Sequence, residues 1–203
     1  MWLKICGMTS LDAVAAALAA RVDAIGFVFS PSVRRVDPAQ AAQLAALARG
    51  RVGLIAVTVQ PPQPLVDEIV RVFKPDALQT DLQDFDSLDL PETLVRLPVL
   101  RAGVASGAAL PRRLLFEGAI SGSGEAADWD TASRLARSSE LILAGGLNAN
   151  NVAAAIRAVR PYGVDVSSGV ESAPGRKSAQ KIAEFVAAAN AASEGMERDA
   201  NSN

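Results

Sequence analysis

Apolar residues in this chain fall into short, dense runs separated by longer, Ala-rich stretches of helical character. The runs are WLKIC (2–6), AIGFVF (24–29), LIAVTV (54–59), ALQT (77–80), TLVRLPVL (93–100), RLLFE (113–117), LILAGG (141–146) and VDVSSG (164–169). Most do not alternate apolar with polar residues, which is the pattern of strands buried on both faces in a parallel sheet. Helices are predicted between them. The first covers 10–21 with Ser10 as N-cap. The second covers 37–50, with Asp37 as cap, Pro38 at the first helical position, Gln40 at capping-box spacing and Gly50 closing it. Others cover 64–74, about 127–138, 148–160 capped by Asn148, and 178–190. The segment after the fourth run, DLQDFDSLDLPE, is weakly patterned, and VASGAALP (104–111) is too short for a proper helix. Regular strand–helix alternation gives an α/β fold. Eight such units predict a (β/α)8 TIM barrel, a single domain with shortened helical segments after strands four and five, at the short end of the size range. An open doubly wound sheet is the competing architecture. The barrel is assigned to residues 1–190. Residues 191–203 are polar and expected to form a disordered tail.

Composition narrows the chemistry. Half of the residues are hydrophobic but only 4% are aromatic, so the core must be built from Ala, Val, Leu and Ile. The formal charge is −2, without the basic excess that marks a nucleic-acid binder. The stretch MWLKICGMTS has no long apolar run with a cleavage site, so no signal peptide is expected. The Ala-rich stretches are broken by charges, so no membrane partner is expected. One cysteine precludes a disulfide within the chain and fits a reducing, cytoplasmic setting. Histidine is absent, which removes the commonest general base and the commonest metal ligand. No metal or cofactor is expected, and proton transfer falls to Cys, Asp, Glu, Lys or Tyr.

Reactive groups of such a barrel lie at the C-terminal ends of its strands. There stand Cys6 after strand one, Arg34 and Arg35 in the loop after strand two, and Glu117 after strand six. Asp165 lies inside strand eight. Cys6 reads either as a small buried hydrophobe or as a reactive thiol. Arg34 reads either as an exposed arginine or as a clamp for a carboxylate. Glu117 follows three apolar residues, so it is either a partly desolvated carboxyl with a raised pKa or a solvated loop residue. Asp165, flanked by valines, suits bonding to backbone amides as well as a place in the substrate site. Trp129 is most simply core. Small residues cluster after strands seven and eight, in AGGLNANN and SSGVES, where loops of this fold commonly hold a phosphate through backbone N–H groups. SGSGE (121–125) is a third such loop.

Five segments, in order along residues 3–187, resemble the phosphoribosylanthranilate isomerase family of tryptophan biosynthesis: KICGMT, IGFVFSPSVRRV, SGSGEAADW, LAGGLNANNVAAAI and GVDVSSGVESAPGRKS. The resemblance implies an Amadori rearrangement of a small phosphosugar. It implies Cys6 as general base, and Glu117 at the position of the family's general acid, an aspartate. It implies Arg34 against the anthranilate carboxylate, and the phosphate on Gly145, Gly146, Ser167, Ser168 and Gly169, with Asp165 beside them in the substrate site. A monomer is expected rather than a homodimer. Three departures stand out. Glu117 is one methylene longer than the aspartate, LQTD (78–81) replaces Gln-Leu-His-Gly, and Ser178 replaces the aspartate of Gly-x-Lys-Asp, where it can still cap the last helix. Indole-glycerol phosphate synthase uses strand-end lysines, whereas none of Lys4, Lys74, Lys177 and Lys181 is predicted to face the mouth. The histidine-pathway isomerases use paired aspartates, and Cys6 stands where the first would be. A barrel that binds a phosphosugar without turning it over is the remaining alternative, and Asp128 is an alternative acid.

Overall fold

The computed structural model describes residues 1–103, 110–118 and 128–201. Eight parallel strands close into one barrel in sequence order. They are β1 (Trp2–Cys6), β2 (Ala24–Val28), β3 (Gly53–Val57), β4 (Ala77–Asp81), β5 (Val95–Arg101), β6 (Arg113–Glu117), β7 (Glu140–Leu143) and β8 (Gly163–Val166). The helices outside are α1 (Leu11–Ala19), α2 (Pro38–Leu44), α3 (Gln63–Glu68), α4 (Trp129–Ala136), α5 (Val152–Val159) and α6 (Ala179–Asn201). A two-stranded hairpin, β9 (Glu171–Ala173) with β10 (Arg176–Lys177), follows β8. The slot after β4 holds only a 3-10 turn, Leu82–Asp86, as its thin patterning predicts. The predicted short segment at 104–109 and the SGSGE loop lie outside the described residues.

The period-two alternation of each strand builds two cores. Residues in one phase form the interior of the barrel: Ala24, Ile55, Ala77, Leu97, Val99, Leu115, Ile142 and Ala144, with Trp2 and Val57 partly buried beside them. Residues in the other phase, such as Ile5, Phe27, Leu78, Phe116 and Val164, join the larger layer between strands and helices. Phe73 sits there edge-on to Phe27, with centroids 5.1 Å apart. This division explains the non-alternating runs, since both phases are buried but against different partners. Two aspartates secure the N-terminal ends of strands. Asp23 accepts the N–H of Leu3 at 2.7 Å, and Asp76 accepts that of Leu54 at 2.7 Å.

The helix starts follow the caps with one exception. Ser10 accepts from the Ala13 N–H, Asp37 from Gln40, and Ser178 from Lys181. Asn148 does not cap α5. Its side chain accepts from the Asn150 N–H two residues on, and the helix begins only at Val152. NANN offers three asparagine side chains within four residues, and the first closes a turn of its own. The tail expected from 191 is helical to Asn201, because Ala192 and Met196 continue the apolar stripe of Ile182, Phe185, Val186 and Ala189. Among the described residues no helix is long and apolar enough to cross a membrane.

The cap at α2 carries a measurable share of stability. Asp37→Ala should lower unfolding stability by about 1 kcal/mol. In a chain of this size that is a loss of roughly 2–4 °C in Tm, to be read by calorimetry.

Candidate active site

Inward-facing positions at the C-terminal ends of the strands open into one cavity of about 540 Å³. Its lining includes Cys6, Arg34, Glu117, Gly145, Gly146, Asp165, Ser167 and Ser168. Thus most of the residues singled out from sequence share one space. Gly169 does not line it. A Cβ there would lie within bonding range of the Leu147 carbonyl oxygen, so this glycine lets the loops after β7 and β8 touch. Asn151 shapes the first of those loops, donating to the Gly146 carbonyl at 2.9 Å and accepting from the Asn148 N–H at 2.8 Å.

Cys6 ends β1, with its thiol only slightly exposed at the cavity floor. Burial pushes this thiol above its ordinary value, while the nearby Lys4 and Lys177 ammonium groups pull it back. Gly7, next in the chain, has φ +83°, and a Cβ on it would stand 2.6 Å from Cδ of Arg34. A side chain at residue 7 would therefore displace Arg34 as well as strain the turn.

Arg34 is neither unpartnered nor wholly open to a ligand. In its loop the Ser32 hydroxyl accepts the Arg34 N–H at 3.1 Å. Its guanidinium grips Glu171 with two bonds, Nε to Oε1 at 2.7 Å and Nη2 to Oε2 at 2.9 Å. Glu171 also accepts from Lys177 Nζ at 2.9 Å. Lys177 in turn donates to the Ser167 carbonyl at 2.9 Å and its hydroxyl at 3.2 Å. One ionic chain therefore runs from the loop after β2, through the hairpin, to the loop after β8. Neither Glu171 nor Lys177 was legible as a site residue, because the hairpin that carries them turns back over the mouth only in the fold. Burial works against the Glu171 carboxylate, but Arg34 and Lys177 outweigh it and hold its pKa at about 2.

Two lysines predicted not to face the mouth are buried against residues that line it. Lys177 is the first. Lys4 shares the inward phase of Cys6, is fully buried, and lies 3.0 Å from Asp165 on the adjoining β8. Asp165 is therefore ion-paired to a side chain, where backbone amides were expected as its partners. The inward phase of β1 was the available signal, since Lys4 precedes Cys6 by two residues.

Glu117 stands at the end of β6, and its desolvation is met by an ion pair. Arg101, opposite it on β5, places Nη1 2.7 Å from Glu117 Oε1 and Nη2 2.7 Å from Asp81 Oδ1. The ends of strands four and six are thus joined by one guanidinium. Asp128 lies elsewhere. Its carboxylate caps α4, accepting from the Thr131 hydroxyl at 2.6 Å and from two backbone N–H groups, and these bonds lower its pKa. Trp129 packs partly buried against the outer core, as expected.

The Glu171 network has a signed pH consequence. A carboxylate depressed on folding contributes stability above its unfolded value, and that contribution fades as pH falls from about 4.5 to about 2. Chemical denaturation across that window should show this loss in the native protein, and Glu171→Gln should flatten it.

The family model described as N-(5'phosphoribosyl)anthranilate (PRA) isomerase matches residues 3–188. An N-(5'-phosphoribosyl)anthranilate isomerase of Roseiflexus sp. (strain RS-1) is 41% identical over 213 residues, covering 95% of this chain and 99% of the relative. The crystal structure of phosphoribosyl anthranilate isomerase from Thermus thermophilus superposes with a TM-score of 0.79 at 30% identity, covering 94% of this chain and 99% of that one. A second crystal structure of the isomerase, in complex with reduced 1-(o-carboxyphenylamino)-1-deoxyribulose 5-phosphate, superposes with a TM-score of 0.75 at 25% identity, over 94% and 99% of the two chains. With its sequence and its barrel so matched along nearly the whole length, the chain belongs to the phosphoribosylanthranilate isomerase family.

Proposed function

We propose that the protein converts N-(5-phosphoribosyl)anthranilate to 1-(2-carboxyphenylamino)-1-deoxyribulose 5-phosphate in the cytoplasm, as a monomer without a cofactor, with Cys6 as general base and Glu117 as general acid. The observation that carries this assignment is the common cavity. A thiol from β1 and a carboxyl from β6 line the same 540 Å³ space, together with the small-residue loops after β7 and β8.

Glu117 gives a proton to the ribose ring oxygen as the C1–O bond breaks, and the anthranilate nitrogen lone pair forms the C1–N double bond. The Cys6 thiolate then takes the C2 proton, and the electrons of that C–H bond move towards the nitrogen. Ketonisation at C2 completes the isomerisation with no change in overall formula. Arg101 stabilises the Glu117 carboxylate left when its proton departs, and Asp81 shares that guanidinium, so its charge is not spent on Glu117 alone. Gly145, Gly146, Ser167 and Ser168 supply the phosphate end, with the Lys177 cation behind Ser167. Among the described residues Glu171 takes two of the five N–H donors of Arg34, which leaves the others for the anthranilate carboxylate.

Freshly prepared phosphoribosyl anthranilate loses its fluorescence on isomerisation. The native protein should speed that decay. Cys6→Ala should lower turnover by about 100-fold or more, the usual scale of general-base catalysis, and Glu117→Gln should abolish the decay. Decay retained in Cys6→Ala would remove the thiol from the chemistry, and decay retained in Glu117→Gln would move the acid elsewhere. A native protein that binds the substrate without decay would be a phosphosugar-binding barrel.

A further inference from the structure

We infer that Lys4 is a positioning residue for this reaction: its buried ammonium, held by Asp165, lies beneath Cys6 and favours the ionised sulfur against the burial that opposes it. The inference rests on Cys6 being the base. Lys4 touches no substrate and gives up no proton. It acts through the sulfur alone.

The pair is out of place as a structural element. It sits in a barrel interior whose fully buried apolar side chains are Ala, Val, Leu and Ile. Removing two charges from water costs more than their attraction commonly returns, and a well-packed apolar pair would hold the β1–β8 seam at least as well. The pair is also not closed on itself. Lys4 Nζ is 3.0 Å from Asp165 Oδ2, yet among the described residues neither Nζ nor Asp165 Oδ1 has a directed hydrogen bond, and both are inaccessible to water. The contact is coulombic, and it leaves the ammonium able to serve a second anion.

The second anion is the Cys6 sulfur. A Cβ built on Gly26, the β2 residue paired with Cys6, would stand 3.0 Å from Cys6 Sγ, 3.1 Å from Lys4 Cε and 3.2 Å from Lys4 Nζ. Sulfur and ammonium therefore face each other across the space that the missing side chain leaves. An opposite charge at about 4–6 Å favours the ionised form of a group. The charges that bear on the sulfur come from four elements: Lys4 on β1, Asp165 on β8, Lys177 on β10, and Arg34 in the loop after β2, itself held by Glu171. Burial is the largest influence and opposes ionisation. Lys4 is the largest counterweight, exceeding the opposing Asp165. Burial works against the Lys4 charge too, but Asp165 and Cys6 more than restore it.

The sulfur can be read without substrate, because Cys6 is the sole cysteine. The rate of its alkylation by iodoacetamide, followed by mass against pH, gives the midpoint of thiolate formation. Lys4→Met should move that midpoint up by about one pH unit or more. Lys4→Met with Asp165→Asn removes both charges, leaves no buried ion, and should move the midpoint in the same direction by less. The acid limb of kcat/KM should move with the alkylation profile in Lys4→Met. An unmoved or lowered midpoint in the double variant, with a native-like melting curve, would overturn the inference. A native protein that failed to isomerise would overturn the functional assignment instead, and the alkylation midpoints would still decide whether Lys4 poises the sulfur.

Discussion

The parallel pairing of β1 with β8 is the contact on which the mouth depends. It closes the barrel, setting Trp2 against Gly163, Lys4 against Asp165 and Ile5 against Val166. Without closure the inward phase of each strand would face a layer of helices, and no polar group there could find a partner across the ring. With closure, residues far apart in sequence meet on a common axis. A Cβ on Gly163 would come within 2.6 Å of the Trp2 carbonyl, so the seam is as tight as backbone packing allows. A Lys–Asp pair inside such a seam is costly to break from one side, about 3–5 kcal/mol for a buried pair that loses one partner.

Above that seam the charged groups are organised in two further sets. Arg34, Glu171 and Lys177 tie three loops together around the edge of the cavity. Arg101 spans Asp81 and Glu117 on the neighbouring wall. In each set a cation with several donors serves more than one acceptor, Lys177 in the first and Arg101 in the second, so each bridging cation is fixed from two sides. This is how a site with no histidine keeps its groups in place: the orientation that an imidazole pair would supply comes from guanidinium and ammonium bridges between loops.

The strands were legible because each run is dense in apolar residues and bounded by turn or cap residues. RLLFE and WLKIC match β6 and β1 residue for residue. Cys6, Arg34, Glu117 and the paired glycines and serines were legible because strand ends can be counted. What was not legible required the fold. The inward phase of Lys4 follows from its spacing to Cys6, but its partner is 161 residues away on the closing strand. Glu171 and Lys177 sit in a polar hairpin that looks like loop until it bends over Ser167. The start of α5 was misplaced because three asparagines within four residues compete for one cap, and the end of α6 because a few apolar positions among charges outweigh overall polarity.

The Arg101 bridge bears on how this sequence can change. Glu117 and Asp81 are 36 positions apart and belong to different strands, yet each holds one arm of the same guanidinium. Shortening Glu117 to an aspartate would withdraw its oxygen from Arg101 by a methylene, and removing the Asp81 carboxylate would leave Arg101 to pull on Glu117 alone. Substitutions at these positions are therefore not independent steps. A change at either strand end therefore alters the charge that the other end meets, through a side chain that belongs to neither.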